Sequence, residues 1–89
     1  MKKFLLTISA ERKISDIVDI ILSNNSILDC IWCFHSKTSY SRSHYHFVLF
    51  CNDSVTIEQV STLLDVSRGN ICVERSCGFD IIKYFNHLR

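Results

Sequence analysis

Segments with a period of two alternate along this chain with segments of period near 3.6, and that order leaves very few folds open to it. Residues 3–9 (Lys-Phe-Leu-Leu-Thr-Ile-Ser), 27–35 (Ile-Leu-Asp-Cys-Ile-Trp-Cys-Phe-His) and 44–51 (His-Tyr-His-Phe-Val-Leu-Phe-Cys) are short and rich in aromatic and β-branched residues. Polar residues bound each run, so they read as strands. From Ser15 to Asn24 the apolar residues Ile14, Ile17, Val18 and Ile21 recur at i, i+3, i+4 and i+7, the spacing of one buried helical face. Asn24-Asn25-Ser26 ends that helix. The polar loop Ser36 to Ser43 joins the second and third strands. After the third, Asn52, Asp53 and Ser54 are cap candidates for a helix over about 55–65 with a buried stripe of Ile57, Val60 and Leu64. Ser67-Arg68-Gly69-Asn70 reads as a turn, Ile71 to Arg75 as a fourth strand, and about Phe79 to the end as a last helix carrying Ile81, Tyr84, Phe85 and Leu88. The expected order is β-α-β-β-α-β-α. Its natural closure is an α+β split βαβ sandwich of the ferredoxin or RRM kind, an antiparallel sheet with two helices on one face. The other face is left for a ligand or for the last helix.

At 89 residues the chain supports one hydrophobic core, so residues 1–89 are expected to form a single compact domain. The apolar run after Met1-Lys2-Lys3 is short and gives way to Glu11, Arg12 and Lys13, unlike a signal peptide, and no stretch is long enough to cross a membrane. Five cysteines, an odd number, then point to reduced thiols and a cytoplasmic protein. Cys30 and Cys33 have redox-motif spacing, but in a strand residues i and i+3 face opposite sides, so the thiols are assigned to packing. A net charge of +1 excludes a strongly basic nucleic-acid clamp.

Chemistry concentrates in the third strand. Alternation puts His44 and His46 on one face with Cβ atoms roughly 6–7 Å apart, close enough to share a divalent ion. Val48 and Phe50 continue that face, while Tyr45, Phe47, Leu49 and Cys51 point into the core. His35 closes the preceding strand and becomes a third ligand if strands two and three pair across their loop. Three imidazoles also suit zinc. In the last helix, Asp80, Tyr84 and His87 form a polar stripe at i, i+4 and i+7. A tyrosine there can attack phosphorus when its phenol is activated. The plain alternative is an amphipathic helix with Tyr84 at the edge of the core.

His44-Tyr45-His46, lying 38 residues before Tyr84, resembles the His-hydrophobe-His strand of the HUH endonucleases, the rolling-circle replication initiators (Rep proteins) of small plasmids and viruses. Ile82-Lys83-Tyr84-Phe85-Asn86-His87 is similar to the family's tyrosine signature, Phe4 to Ser9 to its first-strand motif, and Phe34 to Thr38 to its His-Asp-Lys-Asp loop. The likeness spans nearly the whole chain. It implies a nickase of single-stranded DNA at a hairpin origin. Tyr84 would be the nucleophile, His44, His46 and His35 the ligands of Mg²⁺ or Mn²⁺, and Lys83, Lys37, Asp80 and His87 supporting groups. Where the family carries acidic loop residues this chain has Ser36 and Thr38, which leaves a hard cation few oxygen ligands.

Two other functions compete. One is a Rep-like domain that has lost catalysis and serves as a protein-binding factor, such as a virus- or plasmid-encoded inhibitor of a host protein, which the low charge favours. The other is RNA binding through Trp32, Phe34 and Phe50 stacked on an open sheet face. If Trp32 and Phe34 share a face with Leu28 and Cys30, strand parity makes them core residues, which argues against such a platform.

Overall fold

A computed structural model of the chain describes residues 1–39 and 42–74. The described elements run β1 (Lys2–Ser9), α1 (Ile14–Leu22), β2 (Ile27–His35), β3 (His44–Cys51), α2 (Ile57–Leu64), a single 3₁₀ turn (Arg68–Asn70) and β4 (Ile71–Glu74). The strands form one antiparallel sheet in the order β2-β3-β1-β4. β1 and β2 are therefore parallel to each other with β3 between them, and β3 and β4 are parallel with β1 between them. Each such pair needs a crossover, and α1 and α2 supply the two. This is an α+β arrangement of the ferredoxin-like class. The expected last helix, with Asp80, Lys83, Tyr84 and His87, lies outside the described residues.

Pleating decides which residues meet the helices. Phe4, Leu6 and Ile8 of β1, Phe47, Leu49 and Cys51 of β3, and Ile71 of β4 are buried in one cluster with Ile17 and Ile21 of α1 and Val60 and Leu64 of α2. Of the expected stripes Ile17, Ile21, Val60 and Leu64 are buried in the core and Ile14 and Ile57 pack against it, whereas in place of Val18 it is Ile20 that packs there. Fully burying side chains of this size contributes about 1.5–3 kcal/mol each, which makes the cluster the main source of stability.

The ends of α2 are closed by specific bonds. Its cap is Thr56, not Asn52, Asp53 or Ser54. The Thr56 hydroxyl accepts from the Gln59 backbone N–H, while the Gln59 side chain accepts from the Thr56 N–H. At the other end Asp65 takes a left-handed conformation with φ 52°, which a short polar side chain tolerates better than most. Arg12, from the β1–α1 connection, donates to the carbonyls of Leu64 and Asp65 and so satisfies groups the helix leaves open.

One expectation about the core fails at β2. Trp32 and Phe34 do lie in the core-facing row, opposite Phe47 and Tyr45, yet they remain 44% and 54% exposed. β2 is an edge strand: its Ile27 and Cys30 still pack against the core, but Trp32 and Phe34 lie beyond the cover of the helices. The aromatic rings pack on one another instead: Trp32 stacks on Phe47 at 6.2 Å, and Phe34 meets Tyr45 at 5.6 Å. No RNA-type platform results, because Phe50 belongs to the opposite face.

Candidate metal centre

On the sheet face turned away from α1 and α2, the pairing register brings three histidines together. His35 stands directly across from His44, where the β2–β3 ladder closes on the loop 36–43. His46 follows two residues along β3 and pairs with Cys33 on one side and Thr7 on the other. Because β3 lies between β1 and β2, its two ligand candidates are anchored by backbone bonds on both flanks. One nitrogen from each ring lies within 4.8 Å of the others. His35 Nδ1 is 3.2 Å from His44 Nε2, and His44 Nε2 is 2.8 Å from His46 Nε2.

These spacings can be compared with coordination geometry. Two nitrogens bound to one ion at about 2.1 Å are about 3.0 Å apart at a right angle and about 3.4 Å apart at the tetrahedral angle. The His35–His44 spacing falls inside that range and the His44–His46 spacing just below it, while the three nitrogens together lie within 4.8 Å, so the side chains must adjust for all three to reach one cation. The three rings thus form a group that could hold a metal ion.

The orientation of His44 is set from behind. Its Nδ1 lies 2.6 Å from the backbone carbonyl oxygen of Arg42. A carbonyl only accepts, so Nδ1 carries the proton, and a neutral His44 presents its lone pair at Nε2. Backing a ligand imidazole with a carbonyl fixes its tautomer and makes it a better donor. Nothing in the sequence marks this contact, since any residue at position 42 supplies a carbonyl.

Burial divides the three rings. His46 is 8% exposed, whereas His35 and His44 are half-buried. Burial, followed by the neighbouring His44 and His35, pushes the His46 pKa down to about 4, so its ring is neutral at physiological pH. This face is not uniformly open, for Val48, two residues further along, is fully buried.

The remaining site predictions divide as follows. Lys37 lies on that loop, its backbone N–H donating to the Ser43 hydroxyl at 2.9 Å. Tyr84, Lys83, Asp80 and His87 fall outside the described residues. Cys30 and Cys33 diverge as expected, Cys33 on the histidine face and Cys30 on the core side. Burial raises the pKa of both thiols. No described helix is long and apolar enough to cross a membrane. Neither protein-family models nor curated proteins nor solved structures match the chain.

Proposed function

We propose that this domain nicks and rejoins single-stranded DNA by metal-assisted transesterification at a tyrosine, as the HUH initiators of rolling-circle replication do. The observation that carries the reading is the convergence of His35, His44 and His46 at one end of an antiparallel α+β sheet. Two features add support: the order of the short motifs along the chain, and the sheet order that sets His44 and His46 on an inner strand.

In this reading the Tyr84 oxygen attacks the scissile phosphorus, a phosphotyrosyl ester to the 5′ end forms, and the 3′ oxygen leaves with a proton as a free hydroxyl. The ester keeps the energy of the broken bond. Attack by a 3′ hydroxyl then reverses the step and releases Tyr84. A divalent ion, Mn²⁺ or Mg²⁺ in the family's pattern, would polarise the phosphate and offset charge on its oxygens. The protein's own part is positional. His46 is held neutral by burial, and His44 is aimed by the Arg42 carbonyl. Lys37 on the adjoining loop supplies positive charge toward a phosphate, and Lys83, Asp80 and His87 flank the nucleophile in sequence.

The test is a denaturing gel of full-length protein incubated with pooled single-stranded hairpin oligonucleotides and Mn²⁺. A covalent adduct is expected, lost in Tyr84→Phe and strongly reduced in His44→Ala. Absence of any adduct across a broad pool refutes the nickase. A second reading, the repurposed protein-binding domain, is favoured by the uncovered aromatic residues of β2. Its mark is a stoichiometric protein partner whose binding is indifferent to His44→Ala and Tyr84→Phe.

A further inference from the structure

We infer that the three-histidine centre is selective for borderline transition-metal ions, Zn²⁺ foremost with Co²⁺ and Ni²⁺ behind it, and rejects Mg²⁺. This deepens the nicking proposal by naming the metal class, but it concerns binding by the protein alone and can be judged without DNA.

The donor set is the first argument. Magnesium holds its water tightly and is retained by carboxylate and phosphate oxygens, whereas imidazole nitrogen suits zinc, copper, nickel and iron. All three convergent donors here are ring nitrogens, and no carboxylate joins the cluster among the described residues. The acidic side chain tied to this end of the sheet, Glu11, is exposed and lies 3.8 Å from the Arg42 guanidinium. The adjoining loop contributes Ser36 and Thr38, whose neutral hydroxyls do not compensate for magnesium's lost hydration.

Geometry is the second. His44 is already aimed, and two of the three donor spacings, 2.8 and 3.2 Å, approach the edge of a tetrahedron around an ion of zinc's size. Two rings rise from one inner strand and the third from its directly hydrogen-bonded neighbour, so little conformational freedom is lost on binding. Three protein ligands leave the fourth corner for water or a phosphate oxygen. Cys33 is paired with His46 in the ladder but its sulfur is not part of the convergent group, so among the described residues the centre offers three nitrogens and no fourth protein donor.

The test is competition of the purified, metal-stripped full-length protein against a chromophoric chelator for Zn²⁺, Co²⁺, Ni²⁺, Mn²⁺ and Mg²⁺, under reducing conditions at neutral pH. One Zn²⁺ per chain is expected, at least about 1000-fold tighter than Mg²⁺, with Mn²⁺ weakest among the transition metals. Because the chain also carries thiols, the Co²⁺ complex is read by its visible spectrum. Ligand-field bands without a thiolate charge-transfer band are expected, unchanged in Cys33→Ser and lost in His44→Ala. His35→Ala, on the outer strand, serves as the second variant if His44→Ala does not fold, and it should weaken Zn²⁺ at least about tenfold. Magnesium binding within tenfold of zinc, a thiolate band that vanishes in Cys33→Ser, or zinc affinity unchanged by His35→Ala would each overturn the inference. A DNA adduct assay that fails while zinc binds as described removes the nickase and leaves this inference intact.

Discussion

Burial of His46 predicts a measurable acid sensitivity of the metal-stripped protein. In the unfolded chain this imidazole titrates near its ordinary value of about 6.5, whereas in the fold its pKa is pushed down to about 4. Between those limits the unfolded state binds a proton that the folded state refuses, so stability rises with pH and is fully present only above about 6.5. Integrating the two titrations, this one group costs about 2 kcal/mol on going from pH 7 to pH 5, and about 3 kcal/mol by pH 4. For a domain of this size that is a large share of the whole stability. The assay is urea unfolding in EDTA at pH 7, 6, 5 and 4, comparing wild type with His46→Gln. Since the variant changes packing as well, the slopes against pH are compared, not the absolute values. Wild type is expected to lose about 2 kcal/mol more than His46→Gln between pH 7 and pH 5. Asp53, whose carboxyl is held below its usual range by the hydrogen bond and charge of the N-terminal ammonium, acts in the same direction at lower pH and equally in both proteins. Parallel curves for the two proteins, or an NMR titration of His46 centred near 6.5, would refute the reasoning.

Three further outcomes follow from the packing. Thr56→Ala removes half of the reciprocal cap on α2 and should cost about 1 kcal/mol in urea unfolding, with Thr56→Ser recovering most of it. Phe47→Ala, at a fully buried position, should cost about 3–5 kcal/mol, whereas Phe34→Ala on the uncovered part of β2 should cost about 1 kcal/mol or less; equal losses would mean that β2 is covered after all. Thiol labelling of the native protein should modify exposed Cys72 well before Cys51, which is buried and whose pKa burial pushes up to about 11.

Much of the fold is legible in the residues because period-two and period-3.6 patterns are local. The bounds of β2 and β3, at 27–35 and 44–51, coincide with those read from sequence, and Ile17, Ile21, Val60 and Leu64 occupy the helical faces expected of them. The grouping of His35 with His44 was readable too, since pairing across an uninterrupted polar loop leaves the two strand ends opposite each other. Thr56 as the cap of α2 was available in the Thr-x-x-Gln spacing of 56–59 but was outweighed by the denser polar cluster at 52–54. The exposure of Trp32 and Phe34 was not readable. Parity assigns a residue to a face, but how far a helix reaches across that face depends on strand order, which is a property of the whole sheet. The Arg42 carbonyl behind His44 leaves no trace in sequence, because every residue type has one.

Strand order also bears on how an ion held by the three histidines would come and go. Proteins open first where few neighbours hold the backbone, and of the two strands that carry the histidines that is β2, which among the described residues is paired on one side only, whereas β3 is hydrogen-bonded on both sides. Fraying of β2 carries His35 away while His44 and His46 keep their places. Metal exchange at such a centre would therefore proceed in two stages. A frequent, inexpensive excursion would leave two ligands holding the ion, and complete loss would follow from that half-open state without unfolding of the domain. The residence time of such an ion would thus be set by the pairing strength of one peripheral strand, so a substitution anywhere along β2, even far from the imidazoles, would alter how long the ion stays without altering the donors that bind it.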